Sequence, residues 1–374
     1  MSEMTGGQKR IGLALSGGGF RAAAFHLGVF KKLKALGLLE NISLLSCVSG
    51  GSIAGAFLAL NWNDLDKALV DLEKYLNEKS ISVSTFLGGL VDPFSSRLEK
   101  LADSYDEDLF HKKALLDLRG GPRIYLNSTN LVTGNMFSFI AGGPNGPEHM
   151  RDWEMGTVLA GDFPISRAVA ASSAFPPVYP PLRLDQDTYP KSVPGEGEGK
   201  DENQTAEVIG WDFGEEDYLH DNWHTDTGGQ ESYVTLTDGG VYDNMGVNPL
   251  VSQRKNLDYL IVSDGGKPFK LDARAAESGL GALYASIGIM MEQIRSLQFS
   301  RLAAVTTKKI EGNPKSLWFS IDSQKGEENR GDAKSASNIP TDLASLTTDQ
   351  LQLLSRHAGA LLQARINRWA PELG

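Results

Sequence analysis

Short apolar runs that stop abruptly at glycine set the pattern of this chain. Residues 11–15 are continuously apolar and lead into Gly17-Gly18-Gly19, which predicts a buried strand running into a tight turn. Residues 20–36 then read as a helix, closed by Lys31, Lys32, Lys34 and Gly37, the basic last turn and glycine stop that helix ends favour. Residues 42–48 predict a second strand. A strand, helix, strand, helix opening predicts an α/β fold, a sheet covered by helices on both faces. Residues 65–118 read mainly as helix, 124–131 as strand and 162–171 as helix, and the proline-rich run from Phe175 to Pro181 cannot continue that helix. Two short apolar strands, 234–236 and 257–262, are each soon followed by Asp-Gly-Gly, and a helix over 349–368 closes the pattern.

One segment breaks the pattern. Residues 184–231 hold fourteen acidic residues against two lysines, with few aliphatics, which predicts a solvated insertion within a single domain spanning 8–374. Trp211, Phe213, Tyr218 and Trp223 are unusually aromatic for a linker, so a lid over the site is the sharper expectation.

Elsewhere the composition is that of a soluble globular enzyme, 41% hydrophobic and 22% charged. No apolar run approaches the roughly 18 residues that span a bilayer, and residues 1–10 make a poor secretory signal, so a cytoplasmic location without a membrane anchor is expected. The net charge of −11 argues against nucleic acid and against general attraction to anionic lipid. A single cysteine, Cys47, excludes an intrachain disulfide, and no histidine or cysteine cluster indicates a metal or other cofactor.

The candidate chemistry begins at Val48-Ser49-Gly50-Gly51-Ser52, where the second strand runs into small residues. A strand-to-helix turn that exposes a serine hydroxyl needs such neighbours, because the backbone is strained and the flanking chains approach closely. Ser49 has Gly51 two places on, but Cys47 stands where the pattern Gly-x-Ser-x-Gly has its first glycine. Ser52 is the alternative nucleophile in a shifted register, about one helical turn beyond the strand end. Read by itself, the segment also fits a serine capping a helix.

The earlier loop, Ser16-Gly17-Gly18-Gly19-Phe20-Arg21-Ala22, places backbone amides at a helix N-terminus, where they suit an anion. A dinucleotide fingerprint requires an acid at the end of the second strand, and Glu40 precedes that strand instead. A Walker loop lacks its Lys-Ser/Thr. An oxyanion hole is the competing use. A serine nucleophile then needs a base, and Asp238 and Asp264 both stand at strand ends. His357 follows them in the order a Ser-Asp-His triad requires, whereas His26 lies inside the first helix.

Together these residues resemble the patatin-like phospholipases. The shared pattern is Gly17-Gly18-Gly19-Phe20-Arg21, then Val48-Ser49-Gly50-Gly51-Ser52, then Asp238-Gly239-Gly240 with Asp243-Asn244-x-Gly246, and Ala171-Ser172-Ser173-Ala174-Phe175-Pro176-Pro177 between serine and aspartate. The resemblance implies a three-layer α/β/α sandwich with a mostly parallel central sheet and a Ser-Asp dyad without histidine. Ser49 is then the nucleophile and Asp238 the base. Gly17, Gly18 and Gly19 form the oxyanion loop, and Arg21, Gly51, Gly239 and Gly240 support it. Arg21 either steadies the loop or meets a phosphate, and Asp264 becomes a strand-end turn. Burial, or a neighbouring acid such as Asp243, is expected to raise the pKa of Asp238 so that it serves as a base.

The implied activity is metal-independent hydrolysis of fatty-acyl esters, with phospholipid or another acyl lipid as partner and transient contact with a membrane surface. The apolar runs 85–91, 136–140 and 175–179 are candidates for an acyl groove, or plain core. The lysines at 31, 32 and 34 lie roughly 25 Å from the loop along their helix, so they suit the helix dipole better than a membrane patch. A dinucleotide-binding oxidoreductase and a catalytically silent lipid-binding protein are the competing readings.

Overall fold

A computed structural model describes residues 9–81, 95–144, 146–152, 156–185, 233–266, 268–269, 278–307 and 313–374. The strands are β1 Ile11–Leu15, β2 Ile42–Val48, β3 Arg123–Asn130, β4 Met136–Ala141, β5 His149–Asp152, β6 Gly156–Leu159, β7 Leu182–Asp185, β8 Tyr233–Asp238, β9 Tyr259–Asp264 and β10 Lys315–Ser320. The helices are α1 Gly19–Ala35, α2 Gly50–Leu60, α3 Leu65–Glu78, α4 Ser95–Tyr105, α5 Ile165–Ser172, α6 Gly240–Asp243, α7 Val247–Ser252, α8 Gly279–Thr307, α9 Asp332–Asn338 and α10 Thr348–Trp369.

Alternation along the strands builds two cores. Ile11, Leu13, Leu15, Leu45, Cys47, Ile261, Leu317 and Phe319 point to one face and pack with α1, α2 and α10. Ala14, Leu44, Leu260 and Val262 point to the other and pack with α7 and α8 through Leu250, Val251, Leu302 and Val305. Helices on both faces of one sheet make the α/β/α sandwich, and burial on both faces is why these strands read as unbroken apolar runs. Helix α1 is buried along most of its length, and Gly28 lets the backbone of α10 approach at Ser355. Lys31 and Lys34 at its end pair with Glu73 (2.8 Å) and Asp66 (2.9 Å) of α3.

The strands order as β10-β9-β1-β2-β3-β4-β5-β6, parallel from β10 to β3 and antiparallel from β3 to β6. Strand β3 carries two partners end to end on the edge opposite β4. Parallel β2 pairs with it up to Val48 opposite Asn127. Antiparallel β8 takes over with Asp238 opposite Ser128. The C-terminal ends of β2 and β8 therefore meet head to head, bringing the residue after Val48 beside Asp238.

Several elements differ from the sequence expectation. The apolar run 136–140 is strand β4, with Phe137 and Phe139 fully buried and Phe139 stacked on Phe163 at 5.0 Å. It is core and does not line a groove. The short antiparallel strands β5 and β6, the long helix α8 and the strand β10 were not anticipated. The acidic insertion and the run 85–91 lie almost entirely outside the described residues. No helix among the described residues is long and apolar enough to cross a membrane.

Candidate active site

Ser49 occupies the junction between β2 and α2 with φ 50° and ψ −117°, a region that non-glycine residues rarely adopt and that stores of order 1–3 kcal/mol. Close packing holds it there. A methyl group on Gly50 would lie 2.1 Å from the Gly19 carbonyl oxygen, and one on Gly51 would lie 2.2 Å from that of Leu15. The strand residue Cys47 fits because α2 gives way opposite it: a methyl on Gly55 would lie 2.4 Å from Cys47 Sγ. Burial pushes the Cys47 thiol well above its ordinary pKa. The room usually supplied by a strand glycine thus comes from a helix glycine.

The Gly50→Ala variant tests this packing. A methyl against a backbone carbonyl that cannot turn aside is expected to cost at least about 1–3 kcal/mol, read as a lower denaturation midpoint. It is also expected to impair activity by driving the glycine loop away from Ser49.

Ser172 locks the backbone of the turn. Its hydroxyl donates to the Asn127 carbonyl (2.6 Å) and accepts from Ser49 N–H (2.9 Å) and from Ser52 Oγ (2.8 Å). Ser52 is fully buried inside α2, so it supports the turn and is not presented as a nucleophile. Asn127 joins the strand ends by donating to Ser46 Oγ (3.0 Å) and the Cys47 carbonyl (3.1 Å) while accepting from Ser138 (2.8 Å).

The three loop glycines divide their tasks. Gly17 N–H already donates to the Asn244 carbonyl at 3.0 Å, so it is not free to serve as the expected oxyanion donor. Its contribution is space: a methyl there would lie 2.4 Å from Asn244 Oδ1 and 3.2 Å from Ser49 Cβ. Gly18 and Gly19 have φ of 137° and 61°, and among the described residues their amides have no acceptor. The same holds for the Gly50 amide. Because Gly50 abuts Gly19, the N-termini of α1 and α2 lie side by side, a concentration of amide dipoles that favours negative charge.

Asp238 is 2% exposed. Burial pushes its pKa up to about 7, against the lowering effects of the Gly240 N–H on Oδ1 (2.7 Å) and of a hydrogen bond from the Ser49 side chain. Its backbone is fixed by Asp238 N–H to the Ala174 carbonyl (3.1 Å) and by Thr129 Oγ1 to its own carbonyl (2.9 Å). Gly239 and Gly240 are required by contact. Methyl groups there would lie 2.3 Å from the Asn127 carbonyl oxygen and 2.8 Å from Asp238 Oδ1. Asp243, expected as a possible perturbing acid, instead accepts from the backbone of Met245, Gly246 and Asn248 and from Asn248 Nδ2. It organises the turn into α7.

The other candidates lie apart from this pair. Asp264 accepts from Gly266 N–H (3.1 Å) and Arg295 Nε (2.7 Å). His357 turns Nε2 to the Ile321 carbonyl (2.9 Å) and packs on Phe25. Arg21 is 1% exposed and acts as a strut, donating to the carbonyls of Ile339 (2.8 Å) and Gly265 (3.0 Å). Desolvation lowers its pKa to about 10, partly offset by Asp264.

His26 secures the loop from below. Nε2 lies 2.9 Å from the Ser16 carbonyl, which only accepts, so Nε2 carries the proton and Nδ1 accepts from Ser263 Oγ at 2.8 Å. Ser16 Oγ in turn accepts from Gly265 N–H (2.8 Å). Burial lowers the His26 pKa to about 4, with the Ser16 carbonyl opposing. Its support for the fold is therefore complete above the unfolded value near 6.5 and fades as pH falls through about 4. His26→Ala is expected to cost about 1–3 kcal/mol for each buried group left unpaired, measured by denaturant unfolding at neutral pH.

This arrangement is matched by sequence. The profile of the patatin-like phospholipases aligns with residues 13–251, which contain the loop, the elbow and the aspartate. The chain belongs to this family. No curated protein matches it significantly. Among solved structures it is similar to human GIVD cytosolic phospholipase A2, free (TM-score 0.51, 14% identity, covering 96% of this chain and 60% of that one). It is equally similar to that protein in complex with methyl gamma-linolenyl fluorophosphonate (TM-score 0.51, 14% identity, 96% and 58%). At this identity the likeness concerns the fold, and the chain spans about three fifths of those structures. Within the family pattern, Ser172, Asn127 and Asn244 hold the site together. Ser172 and Asn244 stood in the quoted family pattern without an assigned role, and Asn127 was marked only by the polar run from Asn127 to Asn130 that ends its strand.

Proposed function

We propose that this protein is a serine-dependent lipid acyl hydrolase of the phospholipase A or lysophospholipase type, working through a Ser49-Asp238 dyad. The observation that carries the reading is the meeting of a strained serine with a buried aspartate whose pKa of about 7 suits a base at neutral pH. Family membership supplies the class of substrate, an acyl ester of a lipid.

Asp238 accepts the Ser49 proton as Oγ attacks the ester carbonyl. The resulting oxyanion meets the Gly18 and Gly19 amides, with Gly50 alongside, at two helix N-termini that exist before substrate arrives. Protonated Asp238 gives its proton to the departing alcohol, leaving an acyl-Ser49 ester. Water, deprotonated by Asp238, attacks that ester and releases the fatty acid and the free serine. Arg21 braces the loop through backbone carbonyls.

A fluorophosphonate probe applied to wild type, Ser49→Ala, Ser52→Ala, Asp238→Asn and Asp264→Asn tests the assignment. Labelling is expected to vanish with Ser49→Ala, to fall sharply with Asp238→Asn and to persist in the other two. Equal labelling of all forms, or none in folded wild type, would overturn it. Head-group and positional preference would then be read from the products released from a panel of phospholipids.

A further inference from the structure

Helix α8 is fixed to the body by one side of its second half. Arg295 Nε bonds Asp264 at 2.7 Å and Phe299 meets Trp318 edge to face at 4.9 Å. Leu302 packs with Leu260 and Val262, and Thr306 Oγ1 accepts from Ser316 at 2.9 Å. Asp264 ends β9, while Ser316 pairs with Leu260 near its start. The helix therefore runs opposite to the strands. From Gly279 to Arg295 it continues past their C-terminal ends, the edge that carries Ser49, for roughly 24 Å at 1.5 Å per residue.

This projecting half has no charged residue from Gly279 to Met291. Off the anchored side, Leu283, Met290 and Leu297 recur every seven residues and are 55%, 55% and 65% exposed. Ile287 and Ile294 stand three residues before Met290 and Leu297 and are half-buried. Isoleucine at one position of a heptad and leucine or methionine at the other is the seam of a two-stranded coiled coil. The flanking positions, including Ser286, Gln293, Gln298 and Ser300, carry no charge that would select a different helix. A lipid surface would be met by a helix with lysine and arginine along its polar face, which these positions lack.

We propose that α8 pairs with the same helix of a second copy of the chain in a parallel two-stranded seam. Such a pair is isologous about an axis along the helices. It sets both catalytic edges facing the same way. The second half of each helix is already held by its own body, so much of the ordering entropy that makes short isolated coiled coils marginal is met before association.

Light scattering on the full-length chain over a range of concentrations is expected to give twice the 40.5 kDa mass of one chain. The double variant Met290→Glu/Leu297→Glu should be monomeric, because like charges then face each other across the seam. It should still unfold in one cooperative transition, at a midpoint that no longer depends on protein concentration, and keep its activity on a soluble short-chain ester. Oxidation should crosslink Leu283→Cys and Leu297→Cys each to its own counterpart, with little background from Cys47, which is buried. A monomeric wild type, a dimer that survives the double substitution, or crosslinking of Met290→Cys but neither of the other two would overturn the proposal. So would a monomer whose binding to phosphatidylcholine vesicles depends on Met290 and Leu297, since the patch would then be a lipid-docking face.

Discussion

Ser49→Ala is expected to lower lipid ester hydrolysis by about 10⁴-fold or more, the scale seen when a nucleophile that acts as a unit with its base is removed. The measurement is turnover of a phospholipid at saturating substrate, beside a denaturation curve showing that the variant folds. Stability should separate two inactive variants. Alanine at this position keeps the strain of φ 50° and ψ −117°, whereas glycine relieves it and adds only the larger entropy of a glycine in the unfolded chain. Ser49→Gly is therefore expected to be more stable than Ser49→Ala by about 1 kcal/mol. Substantial turnover by either variant would remove Ser49 from the mechanism.

The second large effect is expected at Asp238. Asparagine is nearly isosteric and still accepts from Gly240 N–H, but it takes no proton from Ser49, so activity should fall by about 10³- to 10⁴-fold. On this assignment the active form of the wild type is the carboxylate. With a pKa of about 7, kcat/KM should rise about tenfold per pH unit below that value and level off above it. A flat profile between pH 5 and 9 would sink the assignment.

The stability consequence has the opposite sign. The folded pKa is raised, so the stabilising contribution is complete below the unfolded value near 3.9 and is lost as pH rises through about 7. At pH 8 the wild type holds a buried charge that Asp238→Asn lacks, and the variant should unfold at higher denaturant, by up to about 4 kcal/mol. A variant that is inactive yet more stable at alkaline pH, with the difference vanishing near pH 4, is the signature.

The parts of this site legible in the sequence are those written locally. β1, α1 and β2 followed from apolar runs bounded by glycine, because strands buried on both faces need little else. Ser49 and Asp238 stood out as polar residues at the ends of such runs. The route by which they meet was not legible, since it depends on β3 accepting β2 and β8 in tandem on one edge, a non-local pairing with no mark in either strand. The division among the loop glycines was hidden for the same reason: the acceptor for Gly17 N–H is the carbonyl of Asn244, far along the chain. Strands β5 and β6 are four residues each and mix polar with apolar positions, too short for a period to show. Helix α8 lacks the usual division into one apolar and one polar face, and among the described residues its first half leaves Leu283, Ile289 and Met290 exposed. Of the two uses the sequence left open for Arg21, steadying the loop or meeting a phosphate, burial decides for the first, because a fully buried guanidinium must find its acceptors within the protein. Here those acceptors are the carbonyls of Ile339 and Gly265.

The tandem seating of β2 and β8 on β3 also orders the life of the chain. Ser49 and Asp238 are 189 positions apart in sequence, so a ribosome completes the elbow long before it delivers the aspartate. Until β8 reaches the vacant stretch of β3, a nascent or partly folded chain would carry Ser49 without the base proposed for it. Closing that gap is a high-contact-order step, entropically costly and therefore late. Local release of β8 would likewise silence the protein while leaving the rest of the sheet intact. On the proposed dyad, activity would thus be a property of the finished fold.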